Sequence, residues 1–172
     1  MKLQRVVTGA ACFALFTAGV ATAGTASTVS QADKAFMIEV AKANMTEAHE
    51  GQVAEANATR ADVKAFGSTL DQDHTKAYQE LTELAGKLGV DIPKGINVGK
   101  DPAFERMSKM KGVKFDHEFA TDEVTSHRQA LAIFKREAAH GQDVDVKAYA
   151  AKMVPILEGH LKMAEDCAKP AK

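Results

Sequence analysis

Three histidines, His74, His127 and His160, fall on the apolar seams of three different long helical stretches, and the remaining long stretch carries Glu47 on its own seam. Imidazole and carboxylate together suit a divalent transition metal such as zinc, iron or copper. The neutral ring offers a nitrogen lone pair, and the carboxylate completes the set and offsets charge. Three histidines and one carboxylate also leave a coordination position for water or oxygen, which would allow a small metal-dependent oxidoreductase. Asp71 and Glu123, three and four residues before a seam histidine, are placed to reach the same layer or to hydrogen-bond its rings. The competing expectation is a structural one, a buried histidine–carboxylate network in a non-enzymatic protein whose helix faces meet an envelope partner. His49, His117 and His140 lie off the stripes or at an end and read as exposed.

Whether the four groups can meet depends on the helices that carry them. Apolar and small residues at steps of three and four define a first helix from near Gln31, with Phe36, Val40, Ala43 and Ala54 on its stripe and a break at Asn57 or Thr59. A second runs from Ala61 to just before Gly89 with a regular seam of Val63, Phe66, Leu70, His74, Ala77, Leu81, Leu84 and Leu88. Asp101 and Pro102 open a short helix to about Met110 inside a long turn-rich connection. The third long helix covers about Phe115 to His140 and closes at Gly141. The fourth carries Val146, Tyr149, Met153, Ile156, His160, Ala164 and Cys167, with Pro155 expected to kink it.

No β-like alternation of any length occurs, so the expected fold is all-α: a ferritin-like four-helix bundle whose helices two and three are joined by a long crossover carrying a short extra helix. Counted from a first turn near Thr59, Glu47 lies 12 residues before and His74 15 after; from a second near Gln142, His127 lies 15 before and His160 18 after. Each pair differs by about three residues, or about 5 Å at ~1.5 Å of rise per residue. If the crossover sets helices two and three parallel, all four groups share one layer.

The ends bound the compartment. Met1 to Arg5 is short and positive, Val6 to Val20 is uncharged and apolar or small, and Val20-Ala21-Thr22-Ala23-Gly24 offers a small-x-small cleavage pattern. Residues 1–23 therefore read as a signal peptide cut after Ala23, residues 24–30 as a flexible lead-in, 31–168 as the bundle and 169–172 as a tail, in a periplasmic or secreted protein. With Lys2 and Arg5 removed the formal net charge moves from −1 to −3. No transmembrane segment is expected after cleavage, and no basic stripe interleaved with aromatics points to nucleic acid. Cys12 leaves with the signal, so Cys167 has no internal disulfide partner and reads as a small apolar residue of the last helix. Methionines such as Met37 and Met153 read as core filler, although His160 and Met163 on one face could hold copper(I). No serine nucleophile elbow, phosphate loop or Cys-x-x-Cys is present, and no catalytic residue is assigned.

The run Val63-Lys64-Ala65-Phe66 followed by Asp73-His74, then Phe115-Asp116, His127-Arg128-Gln129-Ala130-Leu131, Pro155-Ile156-Leu157 and His160-Leu161, resembles the domain-of-unknown-function family 4142. The resemblance covers about Ala32 to Glu165 and implies a ferritin-like bundle of the bacterial envelope, without implying a reaction. It places the family's polar positions on Glu47, Asp73, His74, Asp116, His127 and His160, with Asp73 and Asp116 as added ligands, supporting acceptors or helix caps. Glu50 stands where the family tends to have an aliphatic residue and is a further candidate ligand, while Phe119 replaces a tyrosine. The paired Glu-x-x-His motifs of diiron bundles are missing.

Overall fold

The computed structural model describes residues 29–170, so the expected signal peptide and most of the expected lead-in lie outside the described residues. Within them α1 spans Gln31–Asn57, α2 Ala61–Leu88, α3 Pro102–Lys109, α4 Gly112–His140 and α5 Val144–Cys167, with one 3-10 turn at Val98–Lys100 and no strand. The all-α expectation holds. No helix among the described residues is long and apolar enough to cross a membrane.

The starts of α1, α3 and α5 are fixed by side chains that accept otherwise unpaired backbone N–H groups. Ser30 accepts from Asp33 N at 3.0 Å. Asp101 accepts from Ala103 N and Phe104 N behind a proline at the first helical position, and Asp143 from Asp145 N and Val146 N. Gly89 ends α2 with φ 65°, the left-handed cap only glycine adopts cheaply. Gly141 ends α4 for a different reason. Its φ is −53°, but a Cβ there would sit 2.8 Å from the Glu137 carbonyl oxygen. α4 begins three residues before the expected Phe115, because Gly112 turns the chain at φ 71° and Val113, 76 % exposed, leaves no seam signal at that end. α5 continues through Pro155 without interruption.

Hydrogen bonds at the two ends fix the helix directions. Asp33, at the start of α1, accepts from Gln142 N and Asp143 N in the α4–α5 turn at 3.0 and 2.9 Å. At the opposite end Asp116, near the start of α4, accepts from Thr59 N, Thr59 Oγ1 and Arg60 N in the α1–α2 turn. The Arg60 guanidinium donates to the carbonyl of Cys167 at the end of α5. Thus α1 is antiparallel to α4, α2 is antiparallel to α5, and α2 and α4 start at the same end. Residues 89–111 carry the chain back along the bundle, as a crossover must.

Packing is closest within the α1–α2 and α4–α5 hairpins; α2 also packs on α5 and α1 on α4. The apolar core is in two pieces. Phe36, Val40, Leu81, Phe134, Met153 and Leu157 belong to the piece at the α4–α5 turn. Ala54, Phe66, Leu70, Phe115, Phe119 and Ala164 belong to the piece at the other end. Between these pieces each long helix places buried polar residues: Asn44, His74, Glu123 with His127, and His160. A continuous core would bury more apolar area, so a polar layer cut through all four helices needs its groups satisfied by one another or by something bound.

Candidate metal centre

His74 reaches the layer from α2, His127 from α4 and His160 from α5, each at most 4 % exposed. Their ring centroids stand 5.9, 5.2 and 5.3 Å apart for the pairs 74–127, 74–160 and 127–160. Phe66 lies below them, 6.4 Å from both the His127 and His160 rings. The spacing argument from the turns therefore brings these three together as expected.

The tautomer of each ring follows from partners that can only accept. His74 Nδ1 lies 2.9 Å from Asn44 Oδ1, and the Asn44 amide nitrogen is used in donating to Tyr149 Oη at 3.2 Å. Tyr149 in turn donates to the Ala77 carbonyl at 3.2 Å. This chain orients Asn44 with its oxygen toward the imidazole, so His74 Nδ1 carries the hydrogen. His127 Nδ1 donates to the Glu123 backbone carbonyl at 3.1 Å. His160 Nε2 donates to Asp73 Oδ2 at 2.9 Å. In the neutral rings the remaining nitrogens, His74 Nε2, His127 Nε2 and His160 Nδ1, then hold lone pairs, and one nitrogen from each ring falls within a common 4.8 Å span. His74 Nε2 is enclosed and has no hydrogen-bond partner, while His127 Nε2 and His160 Nδ1 face each other at 3.3 Å.

Electrostatics favour the neutral form of His74 and His160. Burial, reinforced by the neighbouring histidines, holds His74 well below the ordinary imidazole range. His160 is also lowered, chiefly by burial, against the opposing pull of Asp73. A neutral imidazole with its far nitrogen hydrogen-bonded to carbonyl or carboxylate is how metal-binding histidines are oriented.

Glu47 does not join all three rings. It groups with Glu123 and His127 on the α1–α4 side of the layer, so the four expected ligands divide into two sets that share His127. Its Oε2 is enclosed without a partner, as is that of Glu123. Glu123 Oε2 lies 3.2 Å from His127 Nδ1 but lacks hydrogen-bond geometry, the Nδ1 hydrogen being directed at the backbone carbonyl. Burial first, then the negative charge of Glu50, raises Glu123 to about 8. Burial and Glu47 raise Glu50 to about 8, and Glu47 is held well above the carboxylate range by burial and by Glu123.

Asp73 is a supporting acceptor for His160. Asp116 lies at the far end, where both its oxygens serve the α1–α2 turn, which makes it a cap with no reach to the centre. Asp71 accepts from the Gln52 amide on the surface between α1 and α2. Met163 packs with the Phe66–Phe119 piece of the core, and His49, His117 and His140 are exposed. Neither Asn44 nor Tyr149 stands out in the sequence as a polar participant, since neither breaks a pattern by residue type; only the place of Asn44, one step from the expected Ala43, marks it.

The family profile described as a domain of unknown function, DUF4142, matches residues 18–167. A crystal structure of a DUF305 fragment from Deinococcus radiodurans is similar in fold, with a TM-score of 0.71 at 11% sequence identity, covering 81% of this chain and 97% of that one. No curated protein matches the chain.

Proposed function

The chain belongs to the domain-of-unknown-function family DUF4142, and for this member we propose that the bundle binds one divalent transition-metal ion through His74 Nε2, His127 Nε2 and His160 Nδ1. The observation that carries the reading is the hydrogen count: each ring spends its one hydrogen outward, on Asn44, the Glu123 carbonyl or Asp73, leaving three lone pairs directed inward with no proton among them. Lone pairs facing at 3.3 Å repel, and a cation relieves that repulsion. Three neutral nitrogens suit zinc, copper, nickel or iron, with a further position available to water or another ligand. The amino-terminal signal supports export, so the metal would be held outside the cytoplasm. Edman sequencing of the mature protein should then begin at Gly24.

Protein purified without chelator or affinity tag should carry close to one zinc, iron or copper per chain. At a free metal concentration 100 times Kd, binding adds about 2.7 kcal/mol of stability. A chain with no metal and no thermal shift on adding zinc, iron or copper removes the reading. The 3.3 Å His127–His160 contact also favours a second reading, in which one proton is shared there and the network is purely structural. In that case His74→Ala costs about 1–3 kcal/mol whether or not metal is supplied.

A further inference from the structure

We propose that Glu47 and Glu123 hold a second divalent cation, of the hard oxygen-seeking kind represented by manganese(II), beside the histidine centre, with Glu50 as a third carboxylate toward the surface. The inference shares only the α4 segment with the reading above and uses different donor atoms.

Glu123 is 2 % exposed, and its Oε2 and that of Glu47 are both enclosed with no hydrogen-bond partner. Each of these residues offers an oxygen within the same 4.8 Å span that includes a His127 nitrogen. No lysine or arginine among the described residues forms an ion pair with Glu47, Glu50 or Glu123. Two enclosed carboxyl groups facing each other with no lysine or arginine partner, and beside a His127 ring whose Nδ1 hydrogen goes to a backbone carbonyl, must either stay protonated or enclose a cation. The donor type selects the ion. Carboxylate oxygens favour manganese, magnesium or calcium over the softer ions that imidazoles prefer, so the two sets divide metals by chemistry. His127 does not bridge them, because its Nδ1 hydrogen is committed to the Glu123 carbonyl.

A solvent-open groove lies beside Glu50. Glu50 and Asp122 line this groove, of roughly 280 Å3, with Arg106 and Met107 of α3 and Thr125 and Ser126 of α4.

The test is manganese(II) titrated into the purified protein with and without prior zinc loading, with free manganese read by electron paramagnetic resonance. One manganese bound per chain in both arms is expected. The Glu47→Gln/Glu123→Gln variant should bind manganese at least tenfold more weakly while retaining zinc; the His74→Ala/His160→Ala variant should lose zinc and retain manganese. Wild-type protein that binds no manganese, or a double-glutamine variant that binds it as tightly as wild type, overturns the proposal. Wild-type protein that binds manganese but no zinc would instead refute only the histidine reading. Should the double variant not fold, Glu47→Gln alone, at a partly exposed residue, reads the same loss.

Discussion

Replacing Gly51 by alanine should loosen the α1–α2 hairpin and destabilise the bundle, although alanine is the better helix former. A Cβ at Gly51 would lie 2.5 Å from the Gly67 carbonyl oxygen and 2.7 Å from Asp71 N, both backbone atoms that no rotamer change can clear. The reciprocal contact is equally close: a Cβ on Gly67 would meet the Ala54 Cβ at 2.7 Å. The helices must therefore separate where Leu70 and Ala54, both fully buried, pack between them. Overpacking costs about 1–3 kcal/mol in general and, against two immovable backbone atoms, falls in the upper part of that range at about 2–3 kcal/mol; helix propensity returns at most about 1 kcal/mol, so the net loss is about 1–2 kcal/mol. With roughly 2 cal/mol/K of unfolding entropy per residue over the ordered chain, Tm falls by about 3–7 °C. Gly86→Ala is the control on the same hairpin. Nothing lies within 4 Å of its added Cβ, so propensity acts alone and Tm rises by about 2–3 °C. Thermal unfolding followed by circular dichroism measures both. If Gly51→Ala stabilises the chain as Gly86→Ala does, the close helix approach is refuted.

Asp116→Asn should cost about 1–2 kcal/mol in a urea melt, since one carboxylate accepts three hydrogens from Thr59 and Arg60, while leaving metal content unchanged; a loss of metal would return Asp116 to the ligand set. Stability of the metal-free protein should fall as pH rises from about 6.5 to 8. Glu50 and Glu123, raised to about 8 in the fold, bind more protons folded than unfolded across the window from their ordinary value of 4.5 upward. The lowered His74 and His160 act in the opposite sense, but only below their ordinary 6.5, where the unfolded chain takes up protons first. A Tm that is flat or rising between pH 6.5 and 8, or a slope unchanged in Glu123→Gln, counts against the buried carboxyl cluster. In wild type the carboxyl contribution should also shrink when manganese is present, because the cation replaces the protons; differential scanning fluorimetry at pH 7.5 with and without the ion reads this as a larger Tm rise than in Glu123→Gln.

Much of this arrangement was legible in the chain because period and turn position carry it. The seam of α2 identifies His74 by its spacing from Leu70 and Ala77, and counting from the turns puts His127 and His160 at its height. Side-chain direction within a helix face was less legible. A step of three residues rotates about 300°, so from Asn44 toward Glu47 the side chain swings some 60° around α1. That swing separates Asn44, which meets His74, from Glu47, which meets Glu123, and it leaves the expected Ala43 exposed. On α5 the same effect buries Leu157 in place of Ile156. Gly51 and Gly67 carry no sequence signal of their partnership, since a close helix approach depends on two positions 16 apart that only the folded hairpin brings together.

The central claim, a metal at the three inward nitrogens, is tested most directly by anomalous scattering from crystals of zinc-loaded protein at the zinc edge. The expected result is a single peak about 2.0–2.1 Å from each of His74 Nε2, His127 Nε2 and His160 Nδ1. A map with no peak between these rings, or a peak held only by surface residues, would contradict it.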